Sequence, residues 1–131
     1  MGLCLPYLAF LPASVAAKAR PVASPDSNYA AALATADRLL QAWQTGDIEH
    51  GIVLLTTRAK QTTTSGQVEK FFSNEGVSSY EVSRGKLLRR GRYEFPVALV
   101  DTASDHHARR HFSTIVVVNT GKNDWAVDKL P

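Results

Sequence analysis

Residues 92–119 read RYEFPVALVDTASDHHARRHFSTIVVVN, and the way their two halves pair decides the fold. In RYEFPVALVD the apolar residues recur at every second position, so Tyr93, Phe95, Val97 and Leu99 share one face of a strand. The same count in HFSTIVVVN groups Phe112, Thr114, Val116 and Val118. An antiparallel hairpin with Leu99 opposite Phe112 sets Val97 against Thr114, Phe95 against Val116 and Tyr93 against Val118, which aligns both apolar faces. Ile115 and Val117 then point outward. NTGKND reads as a turn, and a last strand extends the same face with Trp125 beside Val118 and Val127 beside Val116. Pro96 has no N–H to give a ladder, so its strand is expected to bulge or expose an edge there.

The same register places Asp101 opposite Arg110 and makes residues 102–109 the tip of the hairpin. In or beside that tip lies DHHARRH, Asp105 to His111, with three of the chain's four histidines. His107 and His111 would share a face on a helix, but in extended chain they stand about 13 Å apart and cannot hold one metal ion. A zinc-protease motif would also need glutamate where HARRH has Ala108. A solvated basic turn is therefore expected, with no metal and no cofactor. A second basic cluster, Arg84, Lys86, Arg89, Arg90 and Arg92, flanks a turn at RRGR; with Arg109 and Arg110 it forms a basic rim. Such a rim suits an anionic partner, or serves only to keep strand edges from pairing with other chains.

Upstream the period changes to that of a helix. YAAALATADRLLQAWQTGD aligns Ala32, Ala36, Leu39, Leu40 and Trp43 on one stripe and turns Asp37, Arg38 and Gln41 away. Gly46 is placed to cap its C-terminus, and Asp47 to cap the next helix. That helix, DIEHGIVLLTTRAK, buries Ile48, Ile52 and Leu55. A third, in SGQVEKFFSNEG, is capped by Ser65, buries Val68, Phe71 and Phe72, and ends at Gly76. The fold class is thus α+β, with three N-terminal helices packed on an antiparallel sheet.

The chain of 131 residues suits one domain, and its formal charge of +3 and pI near 9.2 come from residues spread along it. Nucleic acid is accordingly not the expected partner. Cys4 is the sole cysteine, so no disulfide forms within the chain. There is no Gly-rich phosphate loop, nucleophile-elbow serine or paired-cysteine motif. Residues 1–19 read as a signal peptide: an apolar run from Leu3 to Ala17, too short and too proline-broken for a membrane span, precedes small residues that favour cleavage after Ala17 or Ala19. No Lys or Arg precedes Lys18; a start placed further upstream would supply the missing positive charge. Residues 20–28 read as a flexible linker and 29–131 as the folded domain. The expected location is exported, periplasmic or secreted, if the signal is cleaved, and cytoplasmic otherwise. The mature protein is expected to have no transmembrane span.

The order of these elements, with Trp43, Gly46, Asp47, Leu54, Leu55, Trp125 and Val127, resembles the nuclear transport factor 2-like superfamily over residues 29–131. The resemblance implies a cystatin-like cone, in which a strongly curved sheet wraps the first helix and leaves one end open. Its members include ketosteroid isomerase, scytalone dehydratase and polyketide cyclases, beside many exported or lipoprotein-linked domains without known activity, so the fold does not select a function. In the register above, the aromatic set Trp43, Tyr93, Phe95, Phe112 and Trp125 packs the core if the sheet simply buries one face on the helices, and lines a pocket with Val97 and Val116 if the sheet curves strongly enough to leave the cone open. Members of that superfamily often dimerise through the sheet's outer face, and the outward Ile115 and Val117 fit either a homodimer covered there or a monomer in which other segments cover them. The leading reading is an exported, non-catalytic domain that binds a small molecule or a protein partner. The alternative is a small-molecule isomerase or lyase with Asp101 or Tyr93 as acid or base. No inward histidine is expected, and an aspartate facing an arginine should stay ionised and paired.

Overall fold

The computed structural model describes residues 24–73, 77–102 and 107–131. Four helices precede five strands: α1 (Ser24–Thr45), α2 (Ile48–Val53), α3 (Thr57–Thr62), α4 (Ser65–Phe72), β1 (Val77–Val82), β2 (Lys86–Arg89), β3 (Arg92–Thr102), β4 (Ala108–Gly121) and β5 (Asp124–Lys129). The sheet is antiparallel in the order β1-β3-β4-β5, with β2 on the same side of β3 as β1. The helices pack on one face of this curled half-barrel, which is the expected α+β cone.

Helix α1 is the element around which the sheet closes. Ala32, Ala36, Leu39, Leu40 and Trp43 are all buried, as their helical spacing predicts. It starts at Ser24, so residues 24–28 belong to the helix and not to a linker. Residues 1–23, with the expected signal and the remainder of the linker, lie outside the described residues. Its C-terminus is a Schellman motif: Gly46 takes a positive φ of 71°, its N–H donates to Trp43 O, and the Asp47 N–H donates to Ala42 O. Asp47 then caps α2 by accepting from the His50 N–H at 3.2 Å, as its position predicts.

The single second helix expected over residues 47–60 is split into α2 and α3. Tertiary pairing breaks it: the Val127 N–H donates to Leu54 O at 2.7 Å and the Thr56 N–H to Val127 O at 2.9 Å, which ties the interruption to β5. Thr56 then caps α3, accepting from the Ala59 N–H. The cap of α4 is Thr64, not Ser65; it forms a capping box with Gln67, whose Oε1 accepts from the Thr64 N–H at 3.0 Å. Val68 and Phe72 are buried as expected, while the expected stop at Gly76 lies outside the described residues. The tip of the Phe72 ring comes so close to Gly51 that a Cβ there would lie within 2.1 Å of it.

The β3–β4 register differs by one residue from the expected pairing. Tyr93 faces Val117, Phe95 faces Ile115, Val97 faces Ser113, Leu99 faces His111 and Asp101 faces Arg109, not Arg110. A slip of one residue exchanges the faces of a strand. Ile115 and Val117 are therefore fully buried in the core, while Phe112 is on the outer face and 76% exposed. Val116 also turns outward; it is buried, but outside the core cluster. The strand is apolar at every position from 115 to 118, so Ile115 with Val117 fills the core as well as Val116 with Val118 would. Against β5, Val117 pairs with Val127 and Asn119 with Trp125. Ile115 and Val117 thus cannot cover a dimer interface. The outer face instead carries Phe112 with the Arg110 guanidinium 5.9 Å from its ring centre.

Pro96 sits in a central strand without disrupting it. Its carbonyl accepts from the Ser83 N–H at 2.8 Å, so its missing N–H points toward the same side, at residues 83–85 between β1 and β2. The ladder to β4 is left intact.

Ile115→Ala should lower stability by about 2–5 kcal/mol, and Phe112→Ala should change it by less than about 0.5 kcal/mol. Thermal denaturation of the two variants checks this; the reverse ranking would restore the pairing of Leu99 with Phe112.

Candidate functional site

The interior of the cone is filled by rings. Tyr29 stands 5.8 Å from Tyr93 and 5.5 Å from Phe95, and Tyr93 stands 5.8 Å from Trp125, between ring centres. Phe95 and Val97 are buried in the same core. The Tyr29 hydroxyl accepts from the Gly85 N–H at 2.9 Å, and a Cβ on Gly85 would come within 2.4 Å of the Phe95 ring. Tyr93, Phe95, Val97 and Trp125 are therefore packing residues here, and Phe112 and Val116 face away from the interior.

Open space lies further along β3 and β4, toward their hairpin. A cavity of about 410 Å3 is lined by Trp43 from α1, by Gln67, Lys70 and Phe71 from α4, by Leu99 and Asp101 from β3, and by His111 from β4. Each arrives through local geometry. Trp43 ends the buried stripe of α1. Gln67, Lys70 and Phe71 stand at i, i+3 and i+4 and so share one side of α4. Leu99, Asp101 and His111 share the inner face because Leu99 pairs with His111 and Asp101 with Arg109. Trp43 and Phe71 have ring centres 6.4 Å apart and make an aromatic wall. Other hollows among the described residues, of about 290 to 340 Å3, lie over the helices and the C-terminal segment.

Of the expected pocket residues, this cavity retains Trp43, and of the two acid–base candidates it retains Asp101 and not Tyr93. His111 is an inward histidine that the expected register had turned away. No ion pair joins Asp101 to Arg109 or to any other described residue. The expected pairing of that aspartate is not found. Lys70 and His111 likewise make no ion pair among the described residues. On the inner face, Ser78 lies across from Asp101, and its hydroxyl has no hydrogen-bond partner among the described residues. The Lys70, Gln67, Phe71 and His111 contributions were not singled out as pocket-forming from sequence. The helical spacing of Gln67, Lys70 and Phe71 was visible; which side of α4 would face the sheet was not.

The basic rim does not form one patch. Arg92 is only 22% exposed in its side chain and donates to Asp128 Oδ2 at 2.9 Å, and Lys86 lies 3.6 Å from Glu94. Arg84, Arg89 and Arg90 are exposed. Arg109 and Arg110, in β4, pair with the far end of β3, about 30 Å along that strand from the RRGR turn. His107 and His111 are described, whereas Asp105 and His106 are not. His111 is in strand β4 rather than in the tip. Among the described residues, no three His, Cys, Asp or Glu side chains gather as metal ligands, and no helix is long and apolar enough to cross a membrane.

Two carboxylates outside the cavity are structural. Asp47 has its pKa lowered by hydrogen bonds from the His50 side chain and the His50 backbone N–H. Asp128 is 7% exposed; burial alone would raise its pKa, but the Thr56 hydroxyl at 2.8 Å and the Arg92 and Arg58 guanidiniums outweigh it and hold the pKa below the usual aspartate value. This cluster joins α3, β3 and β5. Tyr80 is pushed up to about 12 by burial and by donating its hydroxyl to Asp37 at 2.6 Å, a tie from β1 to α1.

No protein-family model matches this sequence, and no curated protein matches it. Among solved structures, a delta 5-3-ketosteroid isomerase from Mycobacterium sp. superimposes with a TM-score of 0.54, over 75% of this chain and 90% of that one, at 10% sequence identity. The chain shares the α+β cone fold of that isomerase; at this identity the likeness speaks for the fold alone.

Because Asp128 is depressed in the folded state, its contribution is present above the unfolded pKa of about 3.9 and is lost as pH falls through its folded value. Asp128→Asn should therefore cost about 1–2 kcal/mol at pH 7, with the difference from the parent closing below about pH 4. Urea denaturation across that range checks it.

Proposed function

We propose that this domain is an exported, non-catalytic binding module whose ligand is a small amphipathic molecule held in the cavity between α4 and the β3–β4 hairpin. The observation that carries the reading is the make-up of that cavity. Trp43, Phe71 and Leu99 give an apolar wall, while Gln67, Lys70, Asp101 and His111 give a few polar groups, within the usual size range of small-molecule sites. The filled cone interior favours this opening over the surroundings of Tyr93 as the ligand's place. Catalysis is less favoured because proton transfer in such folds depends on burying the acid or base in an apolar, water-excluding site. Asp101 is only half-buried, and His111 is exposed.

One observation favours a second reading, an isomerase or lyase. Asp101 and His111 line the same cavity without ion-pair partners, and two such groups could exchange a proton with one substrate. On that reading Asp101→Asn keeps binding and abolishes turnover; on the leading reading it leaves affinity within a few-fold.

Export rests on the apolar residues 3–17 and the small residues that follow them. N-terminal sequencing of the protein recovered from its own cells should begin at Lys18 or Arg20; retention of residues 1–17 in the bulk of the protein would contradict export by cleavage.

Native mass spectrometry of protein purified from its own host should show a retained molecule that is lost on denaturation. Leu99→Trp, which fills the cavity, should remove that molecule while leaving the circular dichroism spectrum unchanged. Retention of the same molecule by a folded Leu99→Trp variant would move the site elsewhere.

A further inference from the structure

Resting on the binding reading above, we propose that the cavity selects a monocarboxylate with an apolar body, whose carboxylate is held by the α4 side of the pocket. The two polar side chains of α4 offer donors. Gln67 has its carbonyl oxygen committed to the Thr64 N–H by the capping box, so the group it has left to present is its NH2. Lys70, one helical turn on, is a pure donor without an ion-pair partner among the described residues. The two are on the same side of the helix as Phe71, so a carboxylate meeting them leaves an attached ring or chain against Phe71, Trp43 and Leu99.

The sheet side fixes the orientation. Among the described residues Asp101 is the one carboxylate lining the cavity, and it would repel the ligand's own carboxylate from the β3 wall. Arg109 opposite Asp101 and His111 opposite Leu99 keep the mouth from being acidic overall. Charge is therefore asymmetric across the opening: donors on the helix and an acceptor on the sheet. An anionic head directed at α4 satisfies both sides, and a cationic head would meet Lys70.

Isothermal titration of the full chain with 2-naphthylacetate and with its neutral amide, 2-naphthylacetamide, tests this. The acid should bind about tenfold more tightly than the amide, the size of effect a charge-assisted hydrogen bond gives. Lys70→Gln should remove that preference and leave the amide's affinity unchanged, whereas Arg90→Gln, at the far end of the sheet, should alter neither. Equal affinities for acid and amide, both lost in Leu99→Trp, would overturn the carboxylate proposal and leave the binding reading standing. A preference that survives Lys70→Gln, or that falls with Arg90→Gln, would also overturn it. Binding of neither probe at millimolar concentration would count against the proposal and the pocket together.

Discussion

Everything in this molecule follows from the pairing of Leu99 with His111 and of Phe95 with Ile115. A β-strand has two faces and a period of two, so this pairing is a binary choice and cannot be adjusted by degrees. With it, Ile115 and Val117 join Phe95 and Val127 in the core, and His111 arrives on the same face as Asp101. One residue of slip would bury Phe112, send His111 to the outside and leave Asp101 facing Arg110. The core and the polar side of the cavity are set by the same ladder.

That ladder also explains why the cone closes where it does. The ring cluster of Tyr29, Tyr93, Phe95 and Trp125 occupies the middle of the sheet and packs on α1, with the close approach of Gly85 to Phe95 leaving no room for a side chain. The space that remains lies past this cluster, where β3 and β4 run on beyond the last large core residues and α4 forms the other wall. A scaffold of this shape separates its tasks: rings and the Asp128 cluster hold the layers together, and Gln67, Lys70, Asp101 and His111 line the opening. Loss of a rigid core would cost the site its geometry before it cost any contact to a ligand.

Much of the fold was legible because its signals are local. The stripe from Ala32 to Trp43, the Gly46 stop, the Asp47 cap and the turn at Gly91 each depend on one short run of residues. What was not legible depends on partners far away in sequence. Residues 115–118 are apolar on both strand faces, and Phe112 pulled the pairing toward the wrong one; only packing against α1 decides between them. The break between α2 and α3 comes from hydrogen bonds to Val127, more than seventy residues downstream. The site suffered most, since a one-residue error in register turned Phe112 and Val116 inward and His111 outward. Asp101 survived that error because its own strand was read in the right phase.

The pairing can be observed directly by NMR. Because Pro96 turns its carbonyl toward Ser83, Pro96 and Thr114 form a non-hydrogen-bonded pair across the β3–β4 ladder, as do Ala98 with Phe112 and Val100 with Arg110. Such pairs bring their Hα atoms close together. Strong Hα–Hα cross-peaks between Ala98 and Phe112 and between Val100 and Arg110 are predicted. Strong Hα–Hα cross-peaks joining Ala98 to Ser113 and Val100 to His111 instead would contradict the register, and with it the cavity and its ligand.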